Sequence, residues 1–212
     1  MSLSIGENLA DSFNFAKDGL IGHWLRWLLL AIISAIPIVD FIFLGYAVKV
    51  LKGGDVAPEL EGWGKLFIDG IKLLILVIAY IIIPIIVIFA GIFMGAFTGG
   101  IGLIIIILGY ILLLAFGIAV PMAAVRFAKT ESLGEGFNFS EIFKRIKEIG
   151  WAKYILSYAV LIIVLILFMA FIGLLDMLLT ELLQIGFIIP LIIMPFLLLW
   201  KGKFYENIYS RE

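Results

Sequence analysis

The stretch PELEGWGKLFIDGIKLLILVIAYIIIP, residues 58–84, decides the fold class of this chain. Its first half mixes acidic and basic side chains with large apolar ones, whereas its second half is almost wholly apolar and ends in Pro84. A mixed segment of this kind is typical of a helix lying in the membrane interface, and an apolar one is typical of a helix that enters the bilayer. We therefore expect an interfacial helix, an elbow at Gly70 and a membrane helix.

The composition indicates an integral membrane protein. Of the 212 residues, 64% are hydrophobic and 15% are charged, whereas soluble domains are roughly 45–50% apolar and about 25% charged. The chain has no cysteine, which excludes disulfides, thiolate metal sites and cysteine nucleophiles. Residues 1–19 carry acids and no apolar run, so we expect the first membrane helix itself to direct insertion.

Three units of the chain repeat the plan of the opening stretch, at about residues 4–52, 58–129 and 138–203 of a single membrane domain, 1–212. Each unit contains a predicted interfacial helix, a glycine elbow, a hydrophobic hairpin and a basic exit. The elbow glycines are Gly19, Gly70 and Gly150. The predicted fold class is therefore an all-α, polytopic integral membrane protein with six transmembrane helices in three hairpins, each preceded by an amphipathic interfacial helix, in a pseudo-threefold repeat. Chance similarity among membrane hairpins is the alternative to a true repeat.

The predicted hairpins differ in length. The second has arms at 71–94 and 101–125, and the third has arms at 151–175 and 185–200 joined by a turn at 176–184. The first has arms at 22–37 and 38–51, which would span only ~24 and ~21 Å against a hydrocarbon core of ~30 Å. A re-entrant pair, or local thinning of the bilayer, is therefore the alternative to a full hairpin there.

The basic residues predict the orientation of the chain. All 15 lysines and arginines fall on one side of the six-helix layout, and the opposite turns contain only Asp40, Asp176 and Glu181. By the positive-inside rule the basic side is cytoplasmic, and so are both termini. We therefore expect a multi-pass protein of the cell membrane.

The chain also resembles a prokaryotic, largely archaeal family described as domain of unknown function 4013. The shared features are Gly45-Tyr46 and Lys49 after the first hydrophobic region, then Pro58, Trp63 and Gly70, then Tyr80 and Pro84. The likeness covers most of the chain. More weakly, the plan of amphipathic helices and hairpins is similar to the membrane domains attached to some glycerophosphodiesterases. Because the family has no established activity, the resemblance implies an architecture and no reaction.

No motif in the sequence predicts a catalytic, cofactor or metal site. The only histidine, His23, lies beside Trp24 and Trp27, which favours an interfacial position over a proton relay. One histidine without cysteine or a carboxylate cluster argues against a bound metal. Phosphate-binding loops, dinucleotide fingerprints and nucleophile elbows are absent. No charged residue falls near a predicted midplane, which disfavours an ion-coupled transporter or a proton pump.

Basic residues near the third predicted interfacial helix are the candidate contacts for anionic lipids. They are Arg126, Lys129, Lys144, Arg145, Lys147 and Lys153. Each such residue near an anionic leaflet contributes on the order of 1 kcal/mol, although Glu141 and Glu148 dilute the charge. A topology signal with no ligand is the alternative.

Two hypotheses of function follow. The first is a non-enzymatic module that interacts with membrane lipids, with a membrane protein partner or with a second copy of the chain, without cofactor or nucleic acid. The second is a small channel or permease for a neutral or apolar solute, with proline-kinked helices along its path. An enzyme acting on lipid headgroups ranks third, because no motif places a pair of acid and base groups.

Overall fold

A computed structural model of the chain describes residues 4–183 and 188–211, which are all-helical apart from turns and loops. The elements in chain order are α1 Ile5–Leu20, α2 Trp24–Ala35, α3 Asp40–Leu51, α4 Trp63–Thr98, α5 Gly100–Thr130, a short 3-10 helix Gly134–Phe137, α6 Phe139–Ile149, α7 Trp151–Leu183 and α8 Ile188–Arg211. In the described residues α4, α5 and α7 are long and apolar enough to cross a membrane. The all-helical prediction is confirmed, and these three helices are compatible with a membrane protein.

The three long helices expose apolar side chains over most of their length. In the most apolar windows of α4, α5 and α7, only 22%, 11% and 17% of residues are buried within the protein. Large exposed side chains there include Phe93, Phe97, Ile104 and Leu167. A soluble monomer rarely exposes apolar patches of this extent, so these helices need an apolar environment around them.

The prediction of an elbow at Gly70 is wrong. Helix α4 is continuous over 36 residues, from Trp63 to Thr98, so no separate interfacial helix precedes Gly70. Residues 52–62 form a non-helical loop instead. Gly70 lies against α3, where an added Cβ would be 1.8 Å from the carbonyl oxygen of Phe41. The glycine is needed for close helix contact rather than for a bend.

Helices α3 and α4 cross at close distance because each of them has a glycine at the contact. A Cβ on Gly45 of α3 would be 1.8 Å from the carbonyl oxygen of Leu66 on α4, matching the approach of Gly70. Helices α4 and α5 pack in a similar way, since a Cβ on Gly102 would be 2.3 Å from the backbone of Gly95. Small residues therefore set the distances between neighbouring helices in this half of the fold.

The first hairpin is shorter than the sequence predicts. Helices α2 and α3 have 12 residues each, or about 18 Å at 1.5 Å per residue. The chain reverses at residues 36–39, where Ile38 has a φ of 74°. The elbow predicted at Gly19 is not at that residue. Gly19 lies inside α1, and the chain turns three residues later, at Gly22, which has a φ of 86°.

The third unit, about residues 138–203, contains two separate helices, α6 and α7, before the last helix, α8. Gly150, with a φ of 95°, lies between α6 and α7. Helix α6 buries Ile142, Ile146 and Ile149. The turn predicted at 176–184 is wrong where it is described, because α7 stays helical to Leu183. Residue 184, the predicted start of the return helix at 185 and the side chain of Glu181 lie outside the described part of the chain.

Replacing Gly70 with alanine is expected to destabilise the protein by about 3 kcal/mol, because the new methyl group must displace the backbone of α3. Thermal unfolding in detergent, followed by circular dichroism, measures the effect. Gly64→Ala is the matched control in the same helix, since nothing lies within 4 Å of its Cβ position and alanine favours the helix by about 1 kcal/mol. Equal unfolding midpoints for the two variants would contradict the close crossing of α3 and α4.

Candidate functional site

Charged side chains from six helices meet at one end of the bundle, and we call this region the charged layer. Hydrogen bonds and ion pairs connect its members to one another, to α8 and to the loop of residues 52–62. The members are Arg26, Lys49, Lys52, Lys65, Arg126, Lys129, Glu131, Glu135, Arg145, Lys203 and Glu206. The layer therefore ties together helices that are far apart in the sequence.

The loop of residues 52–62 is the centre of the charged layer, because five of its backbone carbonyls accept hydrogen bonds from side chains. The acceptors are the carbonyl oxygens of Lys52, Gly54, Ala57, Pro58 and Glu59. The donors, at 2.7 to 3.0 Å, are the side chains of Arg26, Tyr46, Lys49, Lys129 and Lys203. Only Ala57 of this loop is buried and most of its residues are exposed, so these hydrogen bonds hold the loop against the surrounding helices rather than offset a large cost of burial.

Glu206 of α8 balances the charge of two of these donors. Its carboxylate oxygens lie 3.0 Å from the ammonium groups of Lys129 and Lys203, and the Ser210 hydroxyl donates to it at 2.6 Å. Lys203 and Glu206 are only 4% and 5% exposed. Burial opposes ionisation of Glu206, but the hydrogen bonds from Ser210, Lys203 and Lys129 outweigh it and lower its pKa. The two ammonium groups therefore share the carboxylate of Glu206, and the three side chains form one cluster of ion pairs.

A second buried polar contact joins the two ends of the chain. The amide nitrogen of Asn207 donates to Asn8 at 2.8 Å and to Asp11 at 2.9 Å, and Asn8 donates to the Phe204 carbonyl at 3.2 Å. The sequence analysis did not predict this contact. The available signal was the spacing of Asn8, Asp11 and Ser12, which places them on one face of α1.

At least four of the six predicted lipid contacts have carboxylate partners among the described residues. The pairs are Arg126 with Glu135, Lys129 with Glu206, Lys144 with Glu141 and Arg145 with Glu148. Arg145 also donates to the Tyr209 carbonyl at 2.9 Å. Lys147 is exposed on α6, and Lys153 is half-buried in the first turn of α7. The structure therefore places these residues on three helices, with most of their charge already balanced.

Two clefts open into the charged layer. The first, of about 540 Å³, lies between α1, the start of α2 and the loop, and its lining includes Asp11, Asp18, His23, Arg26 and Asp55. His23 lies there beside the stacked rings of Trp24 and Trp27, whose centroids are 5.6 Å apart. In the described residues no group of three or more histidines and carboxylates is arranged to hold a metal ion.

The second cleft, which we call the lysine groove, has a volume of about 430 Å³. It is lined by Lys49, Lys52, Glu61, Gly62, Lys65, Leu66 and Asp69. Glu131, just after α5, reaches the ends of two of these lysines, with 2.5 Å to Lys52 and 2.9 Å to Lys65. Those hydrogen bonds lower the pKa of Glu131 to about 2. Sequence reasoning did not predict this groove, because Glu131 is 66 and 79 residues away from its partners.

Replacing Glu206 with glutamine is expected to destabilise the protein by about 3 kcal/mol, because the buried ammonium group of Lys203 loses its counter-charge. Chemical or thermal unfolding in detergent measures the change. Glu141→Gln is the matched control, since its pairing with Lys144 is an exposed contact within one helix at 3.9 Å, and such pairs contribute under about 1 kcal/mol. A Glu206→Gln variant as stable as Glu141→Gln would mean that the buried pairing is not formed.

Glu131 is expected to make stability depend on acid pH. Its folded-state pKa of about 2 lies below its ordinary value of 4.5, so its contribution is present above pH 4.5 and is lost as the pH falls towards about 2. Unfolding midpoints measured across this interval should fall more steeply for the wild type than for Glu131→Gln. Identical slopes for the two proteins would show that Glu131 forms no ion pairs with the lysines.

Comparison with known proteins places this architecture in a family. The model of a family described as "Protein of unknown function (DUF4013)" matches residues 28–177 of the chain. No curated protein and no solved structure matches it. The family match runs from α2 into α7 and includes the loop of residues 52–62, the lysine groove and Glu131. Since the match covers more than half of the chain, the protein belongs to the DUF4013 family.

Proposed function

We propose that the protein is a non-enzymatic, multi-pass membrane module that interacts with lipids, or with a membrane protein partner, through the charged layer. The observation that carries this proposal is the layer itself: ion pairs and carbonyl contacts from six helices fix one charged end, whereas the long helices beyond it expose apolar side chains. Such a boundary between charge and apolar surface suits the headgroup region of a bilayer.

In this proposal the charged layer lies at the cytoplasmic surface, following the positive-inside rule. Helices α4, α5, α7 and α8 cross the membrane, and α2 and α3 enter it and return. Two observations support a returning pair. Each helix is only about 18 Å long, and both the start of α2, through Arg26, and the end of α3, through Lys49, bind the same loop.

A channel or permease for a neutral or apolar solute is the second candidate function. The specific observation in its favour is the short α2–α3 hairpin, because non-helical backbone at membrane depth is tolerated where it lines a cavity or is buried in protein. Swelling of proteoliposomes in glycerol, compared with empty liposomes, tests this alternative. Faster swelling with the protein present would favour a permease over a lipid- or protein-interacting module.

Cysteine labelling tests the arrangement, since the chain has no cysteine of its own. Thr98→Cys is expected to react with a membrane-impermeant maleimide from outside the cell, and Ser132→Cys only in inverted vesicles, because these exposed positions lie at opposite ends of α5. Ala35→Cys, at the tip of the α2–α3 hairpin, should react from neither side. Labelling of Thr98→Cys and Ser132→Cys from the same side would refute the proposed crossings, and outside labelling of Ala35→Cys would refute the returning hairpin.

A further inference from the structure

The lysine groove is a concave site to which two helices contribute ammonium groups. Lys49 lies in the last turn of α3 and Lys52 directly follows that helix, whereas Lys65 lies in the first turn of α4. Gly62 precedes α4 with a φ of 73°, and nothing lies within 4 Å of its Cβ position. The chain thus turns sharply beside the lysines, which line a cleft of about 430 Å³.

Each groove lysine contacts a carboxylate: Lys49 lies 3.6 Å from Glu61 and Lys65 lies 3.8 Å from Asp69, and Lys52 and Lys65 share the carboxylate of Glu131. Lys52 contacts one oxygen of the Glu131 carboxylate, and Lys65 contacts the other. An arrangement with one ammonium group for each of two oxygens also suits a phosphate monoester, which offers the same pair of acceptors with more negative charge than a carboxylate. The chemistry of the site is therefore that of a small, doubly coordinated anion.

Glu131 has the features of a replaceable ligand. Its side chain is 57% exposed, so it gains little from burial. Its φ of 56° is a left-handed conformation that residues other than glycine rarely adopt. Displacing the carboxylate from the lysines would leave no buried charge behind. An incoming anion with stronger coordination can therefore take its place.

The surroundings of the groove favour an anion carried by a lipid. Leu66, which is 3% exposed, lines the groove from within the protein, while Trp63 and Ile68 are exposed on the same two turns of α4. Tryptophan is enriched at the headgroup level, and lysines at the ends of membrane helices extend to the same depth. Exposed apolar residues follow along α4 from Ile75 onward.

We propose that the lysine groove binds the phosphate monoester of an anionic lipid such as phosphatidic acid, and that the Glu131 carboxylate occupies the site until the headgroup displaces it. This inference rests on the proposed position of the charged layer at the membrane surface. It moves the expected site of lipid binding from the basic residues on α5, α6 and α7 to Lys52 and Lys65, at the ends of α3 and α4.

Binding of phosphatidic acid to the full-length protein in phosphatidylcholine nanodiscs tests the proposal, with native mass spectrometry as the readout. Lys52→Gln/Lys65→Gln is expected to weaken binding at least about tenfold, since each basic residue contributes on the order of 1 kcal/mol. Glu131→Gln is expected to tighten binding severalfold, because the internal competitor loses its charge. Misfolding cannot raise the affinity for the lipid. Tighter binding by Glu131→Gln would therefore support the proposal even if the double lysine variant is unstable.

Lys144→Gln/Lys147→Gln on α6 is the matched control and should bind phosphatidic acid as the wild type does. If the control loses affinity while the groove variants keep theirs, the inference is overturned and the proposed lipid-interacting module still stands. If the wild type does not prefer phosphatidic acid to phosphatidylcholine, lipid interaction through the charged layer is also refuted. If inorganic phosphate binds as tightly as phosphatidic acid does, the anion need not come from a lipid, and the inference of a lipid site is overturned.

Discussion

The loop of residues 52–62 connects the helices of this protein, because side chains from several of them donate hydrogen bonds to its backbone carbonyls. A loop between two apolar helices has no hydrogen-bond ladder of its own, so its carbonyls are free to accept from side chains, and here only Ala57 is buried. Here the partners are long cationic side chains and one tyrosine, which come from α2, α3, α5 and α8. Because each donor must reach the same short loop, the positions of these four helices relative to one another are fixed by it.

The cations that satisfy the loop create a second requirement, which Glu206 meets. Lys203 is buried, and a buried ammonium group bound only to a neutral carbonyl would remain costly to desolvate. Glu206 lies one helical turn further along α8 and reaches both Lys203 and Lys129. Neighbouring α8 residues then bind α1 through Asn207, so charge balance and the packing of the two chain ends depend on the same turn of helix.

The sequence predicted the elements whose signals are local. The spacing of Ser4 and Glu7 is that of a capping box, and both reciprocal hydrogen bonds form at the start of α1. The apolar runs correspond to α4, α5 and α7. Gly70 could not be interpreted locally, because its contact, the Phe41 carbonyl, lies in another helix. A glycine after a polar segment suits a bend as well as a close approach. The same limit applies to Lys129 and Arg126, whose carboxylate partners on α8 and after α5 are specified only by the tertiary fold.

Backbone carbonyls near prolines within the helices also accept hydrogen bonds from side chains of other helices. Pro121 has no N–H, so the carbonyl of Gly117 loses its helical partner, and the hydroxyl of Tyr158 on α7 donates to it at 3.4 Å. Tyr154 donates to the next carbonyl, that of Ile118, at 2.6 Å. In α8 the indole of Trp27 donates at 2.6 Å to Ile192, one turn before Pro195. Carbonyl groups at the prolines thus become contacts between helices, which favours packing over gating as the role of these two prolines.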